Sequence, residues 1–319
     1  MELLRKQPIM RRVLLAITPC VAGSIYFFGW RCLFMTLLAA FVGFITEFIF
    51  TKNRKEPASE AVFVTTTIFA MIMPPTVPIH VLVIGTIFAV MFTKEIFGGF
   101  GKNIFNPAIA GRCFVYICFP VAMTAVWAPA ADGKWGALDR WTTVSKQTPV
   151  TSATPMALIK AGKYDMPDKK AFYKTLLIGR ISGTAGVTSA ALILIGGIYL
   201  FVTKTASRTI ILSLVISYAA LNQILYMFDV KPVNDAISAL LGGGFLFGAF
   251  FMATDPISSP RTEPAKIIYG IIIAISTVVI RNFSIFNGGL MFSILIGNMF
   301  APILDYAVKA YANRGTQNG

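Results

Sequence analysis

Apolar residues run through this chain in ten long stretches rather than in alternating or helical-stripe patterns. The stretches fall near 13–30, 32–50, 60–75, 77–93, 108–127, 183–203, 209–228, 235–253, 266–281 and 288–308. A run of about 20 residues crosses the hydrocarbon core of a bilayer as a helix. A soluble all-α protein would need a polar face on each helix, and most of these stretches have none. The third and eighth are short and interrupted, and their interruptions echo each other. Ala70-Met-Ile-Met-Pro-Pro-Thr76 is answered by Ala249-Phe-Phe-Met-Ala-Thr-Asp255, and Asn103-Ile-Phe-Asn-Pro-Ala-Ile109 by Ser284-Ile-Phe-Asn-Gly-Gly-Leu290. Paired breaks in the same order predict an inverted-repeat membrane protein with a polar site near its middle. The expected fold is an all-α integral membrane protein of about ten transmembrane helices in two inverted five-helix repeats. Its expected divisions are 1–127, an external loop 128–182, and 183–319.

Composition agrees with that pattern. Of the 319 residues 56% are hydrophobic and 13% charged, against about 25% charged in soluble domains. The formal charge of +14 sits at the ends of the apolar stretches and in one loop, not on a contiguous polar face, so it argues for a membrane and against nucleic acid. The basic start (Arg5, Lys6, Arg11, Arg12) resembles a signal peptide, but no small-residue cleavage site follows and a second span does, so 13–30 is kept as a helix. Cys20, Cys32, Cys113 and Cys118 lie in or beside apolar segments and are expected to be buried small hydrophobes. With His80 as the single histidine and no Cys/His cluster, the chain alone offers no zinc or complete iron–sulfur site.

Lysine and arginine set the expected orientation. With the N-terminus inside, the inner loops carry Lys52, Arg54, Lys55, Lys94, Lys102, Lys204, Arg208, Arg261 and Lys266, and the short outer loops only Arg31, Lys231 and Arg281. This bias places both termini in the cytoplasm. The long outer loop 128–182 is basic and holds Trp135 and Trp141, with Trp127 at its edge. An aromatic belt explains Trp127; for the other two, a planar cofactor is an equal alternative.

Four groups of residues carry candidate chemistry. Pro149-Val-Thr-Ser-Ala-Thr-Pro155 lies in the outer loop; it reads as a capping turn, yet a threonine hydroxyl can also form a phosphoester with a nucleotide. Asn103 and Asn106 are three apart and precede Pro107, which fits helix caps or a pair of amides facing a ligand. Asn287 holds the symmetry-related place. Glu47, Asp255 and Asp305 lie in or at the ends of apolar spans, where a carboxylate defaults to a functional hypothesis. Their structural alternatives are a pair with Lys52 or Lys55 for Glu47, a turn for Asp255, and a pair with Lys309 for Asp305.

Phe97-Gly-Gly-Phe-Gly-Lys-Asn-Ile-Phe-Asn-Pro-Ala108, Phe250-Phe-Met-Ala-Thr-Asp-Pro-Ile-Ser258, Ala301-Pro-Ile-Leu-Asp305 and the outer Ser-Ala-Thr together span nearly the whole chain. In this order they resemble the family that holds the B subunit of the sodium-pumping NADH:quinone oxidoreductase and the D subunit of the Rnf complex. The resemblance implies FMN joined through its phosphate to Thr154, with Thr151 as the second acceptor. The family often has an acidic residue six positions ahead and a glycine two ahead; here Thr148 and Ser152 stand there. It implies a noncovalent riboflavin near Asn103 and Asn106 on the cytoplasmic side, and cation uptake at Glu47, Asp255 and Asp305. The quinone-using relatives have a glycine pair near Gly43, of which this chain keeps one.

The function so implied is a flavin-carrying subunit of a redox-driven ion-translocating oxidoreductase in the bacterial inner membrane. It would pass electrons between covalent FMN and riboflavin, coupled to Na+ or H+ transport. Its partners would be the other subunits of an Rnf or Nqr complex, a flavin transferase for maturation, membrane lipid and, in the Nqr case, quinone. The chain lacks the long N-terminal extension usual in the quinone-reducing B subunits, so the expected reading is the Rnf D subunit, which serves ferredoxin:NAD oxidoreduction; the B subunit, which Lys94-Glu95 before Gly98-Gly99 resembles more closely, is the alternative. A channel or secondary transporter on the same plan is the alternative from another class.

Overall fold

The structure is a computed structural model that describes residues 3–131, 133–142, 169–284 and 288–317. Two helices open the chain, α1 (Pro8–Phe28) and α2 (Arg31–Arg54), and three follow at its other end, α9 (Arg208–Met227), α12 (Glu263–Phe283) and α13 (Gly289–Gln317). Each is long and apolar enough to cross a membrane, and the chain is an all-α integral membrane protein.

The other expected spans are shorter or composite. They are α3 (Ala61–Met71), α4 (Ile79–Val90) running into a π-helical turn π1 (Met91–Glu95), α5 (Pro107–Cys118) followed after Phe119 by α6 (Pro120–Thr124), and α8 (Ala190–Val202). The eighth stretch is the most broken: α10 (Ala236–Leu241), α11 (Phe245–Phe247) and a second π turn, π2 (Gly248–Met252). Proline accounts for the ends of α3 and α5, since its ring removes a donor and clashes with the preceding turn. Between α6 and α8 in the chain lies α7 (Lys169–Ile178).

Broken helices leave backbone carbonyls without intrahelical donors, and lipid offers none. Here they are met by protein. Ala185 and Gly186 donate their N–H groups to the Met73 and Met71 carbonyls, each at 2.9 Å, and Arg112 donates to the Ile72 carbonyl. In the second half Arg281 donates to the carbonyls of Ala239 (3.3 Å) and Gly242 (3.1 Å) and to Tyr218 Oη (2.7 Å).

The same neighbour relations occur twice. Helix α2 lies on α4 and α4 on α5; α9 lies on α12 and α12 on α13. Across the centre α1 meets α8, and α5 meets α13. The α1–α8 approach is very close: a Cβ on Gly196 would stand 2.0 Å from the Ala16 carbonyl oxygen.

Several expectations need correction. Lys94 and Arg281 are not loop residues; they are 2% and 4% exposed inside the fold. Cys118 is exposed, unlike the other three cysteines, because five residues of helix turn it away from the face that buries Cys113. The loop 128–182 is ordered in part by contact with the first two helices. Its stretch 133–142 is laid over the α1–α2 turn, where Trp30 Nε1 donates to the Leu138 carbonyl (2.9 Å) and Arg31 N to that of Trp141 (2.8 Å).

Candidate functional site

Between the start of α1, α3, the 96–106 loop, the end of α8 and the 250–257 segment lies a cleft. It holds about 710 Å³ of atom-free space including its open mouth. Asn103, Asn106 and Asp255, taken separately from the sequence, all line it, together with Lys94, Phe100 and Phe250. Its walls are mostly apolar, and its polar groups are two amides, one ammonium, one carboxylate and threonine hydroxyls.

The two asparagines do different work. Asn106 is the N-cap of α5: its Oδ1 accepts from Ala108 N (3.1 Å) and Ile109 N (3.4 Å). Its Nδ2 donates to the Met252 carbonyl, and its own N–H donates to Asn298 Oδ1, both at 3.1 Å. Asn298 in turn donates to the Ser258 carbonyl (3.1 Å) and to Tyr269 Oη (2.9 Å). A fully buried amide thus joins α5, α12 and the 252–258 turn, and sequence reasoning passed it over because it sits in an ordinary apolar run, Ile-Gly-Asn-Met. Asn103 caps nothing. Its Nδ2 donates to the Phe105 carbonyl (3.1 Å), which leaves the carbonyl end of the amide as an acceptor beside the cleft.

Glu47 is 1% exposed, and its partner is neither Lys52 nor Lys55. Oε2 accepts from Lys94 Nζ at 2.6 Å, and Oε1 accepts from Ser59 N and Ser59 Oγ, each at 2.7 Å. Lys94 Nζ also donates to Ser59 Oγ at 2.7 Å. The next residue, Glu95, pairs with Arg54, leaving its buried Oε1 without a hydrogen bond. The π turn makes this possible, since it buries Thr93, Lys94 and Glu95 in succession; π turns are frequent at functional sites. The loop that follows needs glycine: Gly99 has φ +92°, and a Cβ there would stand 2.7 Å from Arg54 Nη2.

Asp255 makes a turn, as its structural alternative had it. It accepts from Ser258 Oγ (2.8 Å) and Ile257 N (3.3 Å) while still lining the cleft. Asp305 lies apart from the cleft. Its carboxylate accepts from Arg261 N (2.8 Å), Thr262 N (2.9 Å) and Thr262 Oγ1 (2.8 Å), so its partner is the chain before α12 and not Lys309. Thr154, Thr151, Ser152 and Asn287 lie outside the described residues. Trp135 is 79% exposed, and Trp141, also exposed, rests 5.6 Å from the Phe34 ring.

The cleft fits a flavin in chemistry: apolar planes for a ring system, a free amide acceptor, and a buried cation, with Phe100, Phe250 and Phe251 on its walls.

The sequence pattern of the NQR2, RnfD, RnfE family matches residues 4–313. The B subunit of a Na(+)-translocating NADH-quinone reductase from Ectopseudomonas mendocina is 35% identical over 274 residues, covering 84% of this chain and 64% of the relative. The corresponding protein from Pseudoalteromonas atlantica is 35% identical over 297 residues (90% and 69%). That from Chromohalobacter salexigens is 36% identical over 296 residues (90% and 66%). The chain therefore spans about two thirds of the length of these relatives.

Proposed function

Because the chain belongs to the NQR2, RnfD, RnfE family, we propose that it is a flavin-carrying membrane subunit of a redox-driven, ion-translocating oxidoreductase. One observation carries this: a single cleft gathers Asn103, Asn106, Asp255 and a buried lysine. In this reading the cleft holds a noncovalent riboflavin near the cytoplasmic face, and Thr154 carries FMN through a phosphoester at the outer face. A bound flavin supplies the one- and two-electron chemistry. The chain's own residues do the rest. Asn103 offers an acceptor to the ring edge, Asn106 holds the wall in place through its cap, and the phenylalanines exclude water.

The quinone-reductase relatives favour that branch of the family, as does Lys94-Glu95 before Gly98-Gly99. The Rnf D subunit, with ferredoxin:NAD oxidoreduction, is the second reading. Other subunits, a flavin transferase, lipid, Na+ or H+ and, in the first branch, quinone are its proposed partners. Glu47, Asp255 and Asp305 are the proposed cation path; Glu47 stands directly behind the cleft through Lys94, while Asp305 is committed to the backbone at 261–262. The recurring neighbour relations support two inverted repeats, 1–127 and 183–319, joined by 128–182. The lysine and arginine bias supports cytoplasmic termini in a bacterial inner membrane.

The test is co-expression with a flavin transferase, then a denaturing gel under ultraviolet light and flavin analysis of an acid extract. A fluorescent band lost in Thr154→Ala and kept in Thr151→Ala, with riboflavin in the extract, supports the reading. A dark wild-type band and a flavin-free extract leave a channel or secondary transporter instead.

A further inference from the structure

We propose that Lys94 sets the reduction potential of the ring held in the cleft, with Glu47 as its buried counter-charge. This rests on the flavin reading of the cleft and adds to it a role for Lys94.

Lys94 is 2% exposed, and its ammonium has three donors. One goes to Glu47 Oε2 at 2.6 Å and one to Ser59 Oγ at 2.7 Å. The side chain lines the cleft, and Nζ lies 5.8 Å from the centroid of Phe100, itself part of the wall. Glu47 does not line the cleft, and both its oxygens are already taken by Lys94 and Ser59. From inside the cleft the cation is therefore in front and the anion behind. Asp255, also a lining residue, accepts from Ser258 Oγ and Ile257 N.

A ring that gains negative charge on reduction is stabilised by a cation at its edge, and more so where water is excluded. The asymmetry of the pair is thus the functional element: neutral as a whole, but positive toward the occupant.

The experiment uses the full chain made without a flavin transferase, so that noncovalent flavin is the only flavin present, with saturating riboflavin added. Wild type, Lys94→Gln, Lys94→Arg and the double variant Glu47→Gln/Lys94→Gln are titrated against redox dyes while flavin absorbance is followed. Lys94→Gln is expected to shift the oxidised-to-reduced ratio at least tenfold toward oxidised at fixed ambient potential, about 30 mV for a two-electron couple. Lys94→Arg restores the wild-type midpoint, and the double variant falls between. Should Lys94→Gln fail to fold, the double variant, neutral on both sides, carries the same expectation of a lowered midpoint. Bound flavin with an unchanged midpoint in both variants that carry Gln at position 94 overturns the inference and leaves the flavin reading intact. A wild-type chain that binds no riboflavin overturns both. Loss of binding from folded Lys94→Gln and Lys94→Arg alike also overturns it, because Lys94 is then needed for binding whatever its charge.

Discussion

Replacing Asn106 by alanine should weaken the fold far more than replacing Asn103, although the two stand three residues apart in one motif. Asn106→Ala removes an N-cap with two accepted hydrogen bonds, worth about 0.5–2 kcal/mol. It also removes one of the two hydrogen bonds to the buried Met252 carbonyl, which keeps that from Asp255 N at 3.4 Å, a further loss of about 1 kcal/mol. The expected loss is about 1.5–3 kcal/mol. Asn106→Ser keeps a capping oxygen but cannot reach Met252, and should lose roughly half of that. Asn103→Ala gives up one bond to the Phe105 carbonyl, about 1 kcal/mol. Equilibrium unfolding in mixed micelles, followed by far-ultraviolet circular dichroism, reads these differences. For riboflavin the order reverses: Asn103→Ala should weaken binding roughly tenfold, the worth of one hydrogen bond in a dry site. An Asn106→Ala protein within about 0.5 kcal/mol of wild type, against the cap and cross-brace values, refutes the division of labour. So does an Asn103→Ala protein that is equally destabilised.

Three further outcomes follow from the buried charges and the close helix contact. Lys94→Met leaves Glu47 uncompensated and should cost about 3–5 kcal/mol, most of it recovered in Glu47→Met/Lys94→Met; a double-mutant cycle on unfolding free energies measures the difference. Gly196→Ala drives a methyl group into the Ala16 carbonyl and should cost about 1–3 kcal/mol by overpacking, read in the same unfolding assay. Asp305→Ala frees the N–H groups of Arg261 and Thr262, so trypsin should cut after Arg261 several-fold faster; an unchanged digestion rate would mean that the turn is held by something else.

The long helices were legible because lipid imposes one rule on every residue of a span, and hydropathy reports it directly. The break after α3 was legible for a related reason, since Pro74-Pro75 cannot continue a helix, whereas the one at Gly242-Gly243-Gly244 falls inside the expected 235–253 stretch and was not read from it. Side-chain partners were not. Glu47 looked for a cation close in sequence and found Lys94, 47 residues away, because α4 lies on α2 and the π turn rotates Lys94 inward. Asp305 had a lysine one turn on, yet its carboxylate meets two backbone N–H groups that the fold brings to it. Asn106 and Asn103 looked alike in the motif, and only the position of Met252, from the other half of the chain, separates them. Asn298 gave no signal, since a lone amide in an apolar run is told from any other only by what surrounds it.

Residues 4–7 are strapped down beside the buried ion pair. Leu4–Arg5 pairs in parallel with Ala58–Ser59, Gln7 exchanges bonds with Glu60 and Ala61, and Ser59 itself donates to Glu47. Tension on the leading end, whether from a fused tag or a neighbouring protein, would therefore reach Glu47 through a single serine. The amino terminus is a handle on the interior, and tags for purification or labelling belong at the other end.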